Sequence, residues 1–416
     1  MAGLLLLLSA LTLADSAFAG GRARFGGSLP VVLVTKKVDA RPLFADSPTD
    51  AVALSATLTP LCHLVTLSAP ASGLLRLTPR PGVSADDVAE AIARVSQGNS
   101  PYRALLTGVA SWKKSPAQVD LALSGPTADL PRGLCHPAFS TRPGPFQGAR
   151  PEANALHPAG RPFLDSISFA TADARSAERL FAQRKASLLV GAPTAADDAP
   201  QLFVTVLVFP SAFAPHLPAA LESTVDREDL VRFFLPPPSA PMPGLLPATL
   251  GGPSEASPRP ARPSPLTPAR EIAVAFDSSS DAERAIAERL QVKLQPLGYR
   301  VALKPGSREE LRGRSPDSSA LALQSLLLPA SPVAALAVLL DASGQRARLP
   351  QLLAAIASAP DPDARARELA QELLPQLPLI PLATRGVGVT AAKDVQHLTR
   401  DAFGLPRLDE LFLAPD

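Results

Sequence analysis

The sequence contains few of the residues on which catalysis and ring stacking usually depend. Its 416 residues include two cysteines, five histidines, one tryptophan and two tyrosines. It also lacks the G-x-S-x-G turn of serine hydrolases, the G-x-x-x-x-G-K-S/T phosphate loop, the H-E-x-x-H zinc helix and the EF-hand pattern. We therefore predict a protein that is not an enzyme and that needs no cofactor.

Neither sign of charge is in excess. Lysine and arginine number 40 against 38 aspartate and glutamate, which gives a formal net charge of +2. Nucleic acids and anionic membranes are bound by concentrated basic surfaces, so we expect neither as a partner. Hydrophobic residues make up 46% of the chain, which is enough for two cores of ordinary domain size.

The apolar run near the amino terminus is too short to span a membrane. It covers residues 4–8, and Asp15 interrupts the apolar character of the residues after it. Ala17-Phe18-Ala19 then matches the small-residue pattern of a signal cleavage site. We predict that residues 1–19 are an export signal cleaved near Ala19 and that the protein is periplasmic, without a lipoprotein anchor because no cysteine follows. No lysine or arginine precedes the run, so either the true start lies upstream or the signal is weak.

The two cysteines leave three interpretations open. They lie in similar local sequences, Leu-Cys62-His63 and Leu-Cys135-His136. In an oxidising compartment they would form one disulfide, and otherwise they would be two buried thiols. A metal site of two cysteines and two histidines is the third interpretation. It has the least support, because adjacent side chains on an extended backbone point to opposite faces. No metal is therefore expected.

Residues 270–304 are typical of a strand, helix, strand unit. Apolar residues alternate in both strands and recur every four residues in the helix, which Gly298 ends. The apolar positions are Ile272, Val274, Phe276, Ala282, Ile286, Leu290, Leu294, Tyr299, Val301 and Leu303. The unit indicates an α/β fold with a mainly parallel sheet, which binds ligands beyond the carboxyl ends of its strands.

Other elements are predicted from the same signals. Ser84 should cap a helix over 84–97 whose apolar stripe includes Val88 and Ile92, with Gly98 after its end. Further helices are predicted over residues 173–186 and 364–374, and strands over 30–35, 187–191, 201–209 and 377–384. Residues 236–268 hold 12 prolines, so we expect a solvated loop that forms neither helix nor sheet and that can be shortened without loss of the fold.

Several segments, in this order, match a known pattern: SADDVAEAIAR at 84–94, GPF at 144–146, RPFLD at 161–165, VDREDLV at 225–231 and the unit at 270–304. Together they resemble the family 5 extracellular solute-binding proteins, the peptide- and nickel-binding receptors of ABC importers. The resemblance covers most of residues 22–413. It implies a two-lobed periplasmic binding protein fold of type II, with the second lobe inserted into the first. The expected divisions are 1–19 for the signal, 20–208 and 378–416 for the first lobe, and 209–377 for the second lobe, which includes the proline-rich segment.

The resemblance also implies a ligand site in the crevice between the lobes. The matching positions are Phe209, the turn with Cys62 and His63, and a loop over 325–331 that contributes Ser325, Leu326, Pro329 and Ser331. That loop carries no charge, so we expect a ligand that is uncharged or apolar at the end that faces it.

The function implied is that of a monomeric receptor that delivers a peptide or related small solute to an ABC permease. The alternative is a family member that has lost binding and acts as a periplasmic sensor or scaffold. An exported hydrolase is disfavoured by the missing motifs.

Overall fold

The structure is a computed structural model that describes residues 25–192, 199–210, 216–255, 266, 269–312 and 320–414. The predicted export signal lies outside these residues. No helix in the described ranges combines the length and the apolar character that crossing a membrane requires.

The described residues form twenty strands and twelve α-helices. The strands are β1 Ser28–Val34, β2 Thr59–Pro60, β3 Val65–Ala71, β4 Leu74–Pro79, β5 Val109–Ser115, β6 Gln118–Leu123, β7 Ser140–Thr141, β8 Phe146–Gln147, β9 Glu152–Ala153, β10 Ser166–Ala172, β11 Leu188–Val190, β12 Phe203–Val208, β13 Ser239–Pro241, β14 Arg270–Asp277, β15 Tyr299–Gly306, β16 Ala320–Leu327, β17 Leu379–Arg385, β18 Val389–Ala391, β19 Val395–Gln396 and β20 Phe412–Leu413. The helices are α1 Pro48–Thr57, α2 Leu61–Leu64, α3 Ala85–Gln97, α4 Leu130–Gly133, α5 Ala174–Ala182, α6 His216–Thr224, α7 Arg227–Phe234, α8 Asp281–Leu294, α9 Arg308–Arg312, α10 Pro332–Ala342, α11 Leu349–Ala357 and α12 Pro362–Leu373.

The first lobe is built on a six-stranded sheet in the order β18-β11-β1-β10-β9-β8. In its centre β1 runs parallel to both β10 and β11. The late strand β18 pairs antiparallel with β11, so residues close to the carboxyl terminus complete a sheet that begins near the amino terminus. Leu29, Val31 and Leu33 of β1 are fully buried under residues from the last part of the chain, including Phe403 and Leu411.

The second lobe contains the predicted strand, helix, strand unit. Strand β14 pairs parallel with β15, with Ile272 opposite Val301, and α8 connects them. The Ser280 hydroxyl accepts the Glu283 amide at 3.2 Å and so caps α8. Gly298, at φ +80°, turns the chain into β15 in a conformation that other residues rarely adopt. The sequence prediction for this unit is confirmed.

The sheet as a whole is mixed, in the order β13-β17-β12-β16-β14-β15, so the prediction of a mainly parallel sheet is wrong for this lobe. Strand β12 pairs antiparallel with both β16 and β17. The reason is topological. Strand β12 enters the lobe from the first sheet and β17 leads back to it, so the two run in opposite directions side by side.

A smaller antiparallel sheet, in the order β3-β4-β6-β5, lies under α3. The Ser84 hydroxyl accepts the Asp87 amide at 3.0 Å, and Val88, Ile92 and Val95 are fully buried. The cap and stripe predicted for this helix are therefore confirmed. The apolar core beneath α3 continues without interruption into α10, α11 and α12. One core thus joins residues 61–139 to residues 326–379, across the lobe boundary expected from the sequence.

The proline-rich segment differs from its prediction as a solvated loop. Its strand β13 pairs with β17, and Met242, Leu245 and Leu246 are each 1% exposed. Strand β13 lies at the edge of its sheet. Pro241 is tolerated there because an edge strand does not need every N–H for hydrogen bonds within the sheet. The segment was predicted to be a solvated loop without sheet. For the described part, residues 236–255 and 266, this prediction is wrong. Residues 256–265, 267 and 268 lie outside the description.

Candidate functional site

The two lobes meet along a surface that we call the interlobe seam, where residues 36–50 contact residues 277–312. The first segment follows β1 and includes the start of α1, and the second runs from the end of β14 to the end of α9. Exposed ion pairs lie at its rim, Lys36 with Asp281 at 2.6 Å and Arg41 with Glu309 at 3.1 Å. The interior of the seam holds buried charges.

Arg308 lies between carboxylates from both lobes. Its Nη1 donates to Asp50 Oδ2 at 2.5 Å and to the Phe44 carbonyl at 2.7 Å, and its Nε donates to Asp277 Oδ2 at 2.6 Å. The Asp50 and Asp277 side chains are 1% and 4% exposed. Burial opposes the charge on Arg308, but the two carboxylates outweigh it and raise its pKa. The guanidinium is therefore a permanent cation that joins the lobes.

The position of each carboxylate follows from its element. Asp50 is in the first turn of α1, where its amide donates to the Ser47 hydroxyl at 3.2 Å and its Oδ2 accepts from that hydroxyl at 2.7 Å. A carboxylate is favourable there because the amino-terminal end of a helix is positive. Asp277 is the last residue of β14. It therefore lies at the carboxyl ends of the parallel strands, where α/β proteins usually bind their ligands.

A second contact crosses the seam one helical turn further along. Arg312 forms an ion pair with Asp46 and donates to the Leu43 carbonyl. The Tyr102 hydroxyl donates to the other oxygen of Asp46 and accepts the Leu327 amide at 3.0 Å. Burial raises the pKa of Tyr102, so the phenol stays protonated and can donate.

The seam also contains a cation without a partner. Arg385, the last residue of β17, has a buried Nε with no hydrogen-bond partner, and none of the ion pairs within the described ranges includes it. Burial lowers its pKa, while the charges of Glu283 and Asp50 act in the opposite direction and that of Arg308 adds to the lowering. Arg385 is thus within the range of the charges of Arg308, Asp50 and Glu283.

Glu283 is a third buried acid in the seam, after Asp50 and Asp277. It is 3% exposed, its Oε2 accepts the Asp277 amide at 2.8 Å, and its Oε1 accepts the Ser325 hydroxyl at 2.7 Å. Burial raises the pKa of Glu283, and the Asp277 charge adds to this effect.

The structure does not bring the predicted ligand-binding residues together. Of that set, Ser325 alone bonds to a seam residue. Phe209 packs in the core of the second lobe, and Leu326 is fully buried. Pro329 is buried, and the fully buried Ser331 caps α10 by accepting the Ala334 amide at 3.5 Å. The segment predicted as a loop over 325–331 begins with the last three residues of β16, and its leucines belong to the cores of the protein.

Cys62 and Cys135 form a disulfide, with their Cα atoms 4.9 Å apart. Cys62 lies in the single turn of α2, so the extended backbone assumed for the metal argument is not what the chain adopts there. Of the neighbouring histidines, His63 is exposed and His136 is 1% exposed. Within the described residues no cluster of three or more histidine, cysteine, aspartate or glutamate side chains could hold a metal ion.

Cys135 and His63 line a different space, which we call the α1 cavity. It has a volume of about 340 Å³ and lies between α1, the turn at residues 59–63, the segment 137–159 and the loop 400–409. None of the interlobe ion pairs lies on its wall. His63 therefore lines a different space from the one that Ser325 borders, and a ligand site shared by Cys62, His63 and Ser325 stays a prediction.

The seam was missed by sequence reasoning although one signal pointed to it. The rule that ligands lie beyond the carboxyl ends of parallel strands leads directly to Asp277 at the end of β14 and to α9 after β15. The three serines after Asp277 fit an ordinary helix cap, so their pattern alone does not mark a site. Asp46 and Asp50 carry no comparable signal, because their approach to α9 depends on how the lobes pack.

The chain has the two-lobed α/β fold of periplasmic binding proteins. Its structure is similar to the ABC transporter-associated periplasmic binding protein DppA from Helicobacter pylori in complex with the peptide STSA, with a TM-score of 0.73, 14% identity, and 94% of this chain and 99% of that chain covered. The oligopeptide-binding protein AppA from Bacillus subtilis in complex with a nonapeptide is similar at a TM-score of 0.69 and 12% identity, with 95% and 100% covered.

The murein tripeptide-binding protein MppA from Escherichia coli gives a TM-score of 0.68 and 13% identity, with 94% of this chain and 99% of that chain covered. No protein-family model matches the sequence, and no curated protein matches it. At these identities the similarity establishes the fold, and a ligand has to be argued from the residues of this chain.

Proposed function

We propose that the protein is the periplasmic substrate-binding component of an ABC transporter. In this function it closes its lobes over a peptide or related small solute, as a monomer, and presents it to the membrane permease. The fold supports this proposal, since two of the similar structures were determined with bound peptides. The division into a first lobe of residues 20–208 and 378–416 and a second lobe of residues 209–377 is part of the proposal, as is export by residues 1–19.

The observation that carries the proposal is Arg385, a half-buried arginine at the end of β17 that forms no ion pair within the described residues and whose buried Nε has no hydrogen-bond partner. An anionic group of a ligand would supply that partner. Glu283 and Asp50 act on its charge, but both already have partners within the protein, Asp50 in Arg308 and Glu283 in Ser325 and the Asp277 amide. We therefore propose a ligand with an anionic group, in place of the uncharged end expected at residues 325–331, which are mostly buried within the protein.

Calorimetric titration with trialanine, its N-acetyl form and its carboxyl amide tests this proposal. We expect the amide to bind at least tenfold more weakly than the free peptide, because it lacks the anion that would meet Arg385. The Arg385→Gln variant should remove this difference. Arg150→Gln, at an exposed arginine distant from the seam, is the matched control and should bind as the native protein does. Equal binding of the free peptide and the amide by the native protein would contradict the proposal.

A sensor or scaffold that closes without ligand is the second candidate. It is favoured by the position of Arg308, which already fills the space between Asp50 and Asp277. Mass spectrometry of the protein purified under native conditions distinguishes the two candidates. A co-purifying small molecule supports the transport receptor, whereas a ligand-free protein that binds none of the three peptides supports the sensor or scaffold.

A further inference from the structure

The α1 cavity has the features of a second binding site that is separate from the interlobe seam. Its walls are α1, the residues around the disulfide, and the loop 400–409. None of the residues that form the interlobe ion pairs lines it. Binding in this cavity therefore goes beyond the proposed function and does not depend on it.

Two basic side chains at the cavity lack partners. The Arg80 and His63 side chains are exposed, and neither takes part in an ion pair or side-chain hydrogen bond within the described part of the chain. Although the residue as a whole is exposed, partial desolvation of the ring, together with the charges of Arg407 and Arg80, lowers the pKa of His63, and the charge of Asp409 acts against them. Arg80, Arg407 and His63 thus line the same cavity, and of the two arginines Arg80 is the one without an ion-pair partner in the described ranges.

A buried polar atom also points to a missing ligand. His157 is 7% exposed, and its Nε2 lies 3.2 Å from the Thr59 hydroxyl. Its Nδ1 is buried and makes no well-formed hydrogen bond, although the Gly160 backbone interacts with the ring and acts to raise the pKa of His157 against the lowering by burial. Buried polar groups are almost always hydrogen-bonded, so an unpaired ring nitrogen on a cavity wall calls for an occupant.

The acids on the wall are already engaged. Asp401 accepts the Phe403 and Leu405 amides, each at 2.9 Å. Asp409 is paired with Arg407 at 3.4 Å. Neither carboxylate forms an ion pair with Arg80 in the described part of the chain, so the exposed guanidinium is free to bind an anion that comes from outside.

The remaining wall is largely apolar. It includes Leu58, Pro60, Pro137 and Phe403. A volume of about 340 Å³ accommodates a molecule of about ten non-hydrogen atoms, near the small end of ligand pockets. We propose that the α1 cavity binds a small organic monoanion with an apolar body, an aliphatic or aromatic carboxylate, whose charge meets Arg80 and the Nδ1 of His157.

The test uses the full-length protein, with benzoate and hexanoate as probes and benzamide as the uncharged analogue of benzoate. Binding is measured by calorimetry and by the shifts of the histidine ring signals in NMR spectra. We expect saturable binding of both carboxylates and a benzamide affinity at least tenfold lower, the loss typical of one charge-assisted hydrogen bond. The ring signals of His157 should shift on binding, and those of the exposed His397 should not.

Variants test whether the carboxylates bind in this cavity. Arg80→Gln should weaken benzoate at least tenfold, and Ala159→Trp, at the exposed rim, should block entry without disturbing the core. Arg150→Gln and the seam variant Arg385→Gln should bind benzoate as the native protein does. Absence of saturable carboxylate binding, benzamide binding equal to that of benzoate, or unchanged affinity in Arg80→Gln would each overturn the inference. Loss of benzoate in Arg385→Gln alone would assign the anion to the seam.

Discussion

His136 makes contacts that only its neutral ring can make. Its Nε2 donates to the Leu327 carbonyl at 2.8 Å, and its Nδ1 accepts the Ala138 amide at 3.1 Å. Protonation of Nδ1 would place its N–H opposite the Ala138 N–H, and this hydrogen bond would be lost because both groups are donors. Burial accordingly lowers the pKa of His136 to about 4, and the Leu327 carbonyl only partly offsets this. This ring ties residues before β7 to the end of β16.

We predict that His136 makes the protein acid-sensitive. Its pKa is lower in the folded protein than in the unfolded chain, so the unfolded chain binds more protons between about pH 4 and 6.5. The free energy of unfolding should therefore fall as the pH drops through this window, by about 3 kcal/mol at its lower end. Urea unfolding at several pH values measures this slope.

His136→Gln keeps a donor for Leu327 but cannot titrate, so its slope should be flatter than that of the native protein. His397→Asn is the control, since His397 is exposed and its φ of 61° suits asparagine. Burial raises the pKa of Asp401 to about 6, so this group makes the free energy of unfolding rise as the pH drops, opposite to the effect of His136. Subtracting the slope of a variant from that of the native protein cancels this contribution, because Asp401 is present in both. Identical slopes for His136→Gln and the native protein would contradict the prediction.

Arg308→Leu should be strongly destabilising. It would leave Asp50 and Asp277 buried without a counter-ion, at a cost of about 3–5 kcal/mol. Arg41→Leu removes an arginine from the same seam, but its side chain is 56% exposed and its pair with Glu309 is solvated, so the loss should stay below about 1 kcal/mol. Chemical denaturation of both variants measures the contrast. Similar losses would show that the Arg308 pairs are no stronger than a surface contact.

The sequence predicted the local chemistry of single residues better than their partners. Serine caps and the glycine after α8 were found because both ends of each interaction lie within a few residues. Arg308 and Asp50 are more than 250 positions apart. No periodicity or motif links such residues, and their pairing depends on the packing of the lobes.

Helices and strands were also predicted where local sequence signals determine them and missed where distant residues do. The unit β14-α8-β15 and the helix α3 were predicted because a cap, an apolar period and a terminating glycine act together within one segment. The antiparallel neighbours of β12 were not predicted, because they come from β16 and β17, far away in the chain. Proline content likewise gave no indication that Met242 and its neighbours fill a gap in a distant core.

The described half of the proline-rich segment should be needed for stability. Leu245 is 1% exposed within the core that contains α10 and α12, so Leu245→Ala should cost about 2–5 kcal/mol through lost burial and the cavity left behind. Glu255→Ala, at an exposed position in the same segment, should change stability by less than about 0.5 kcal/mol. Thermal and urea unfolding of both proteins measure these effects. A loss in Leu245→Ala as small as in Glu255→Ala would restore the view of a solvated loop.

For the whole molecule, the seam arginines should set the balance between open and closed lobes. Arg308→Leu combined with Arg312→Leu removes the buried ion pairs that cross the seam, so the ligand-free protein should have a larger radius of gyration in small-angle X-ray scattering. The control replaces Lys36 and Arg41, whose pairs are exposed and screened by salt, and should scatter as the native protein does. An unchanged radius in the Arg308 and Arg312 variant would show that apolar packing alone holds the lobes together.

The core shared by residues 61–139 and 326–379 has a consequence for how the chain acquires its structure. Its two halves are separated by about two hundred residues, so a large loop must close before α3 and α10 can bury their apolar faces together. During synthesis most of the chain must emerge before this core can be completed. Until then the apolar residues of 61–139 that α10 later covers remain exposed, which makes the incomplete chain prone to aggregation.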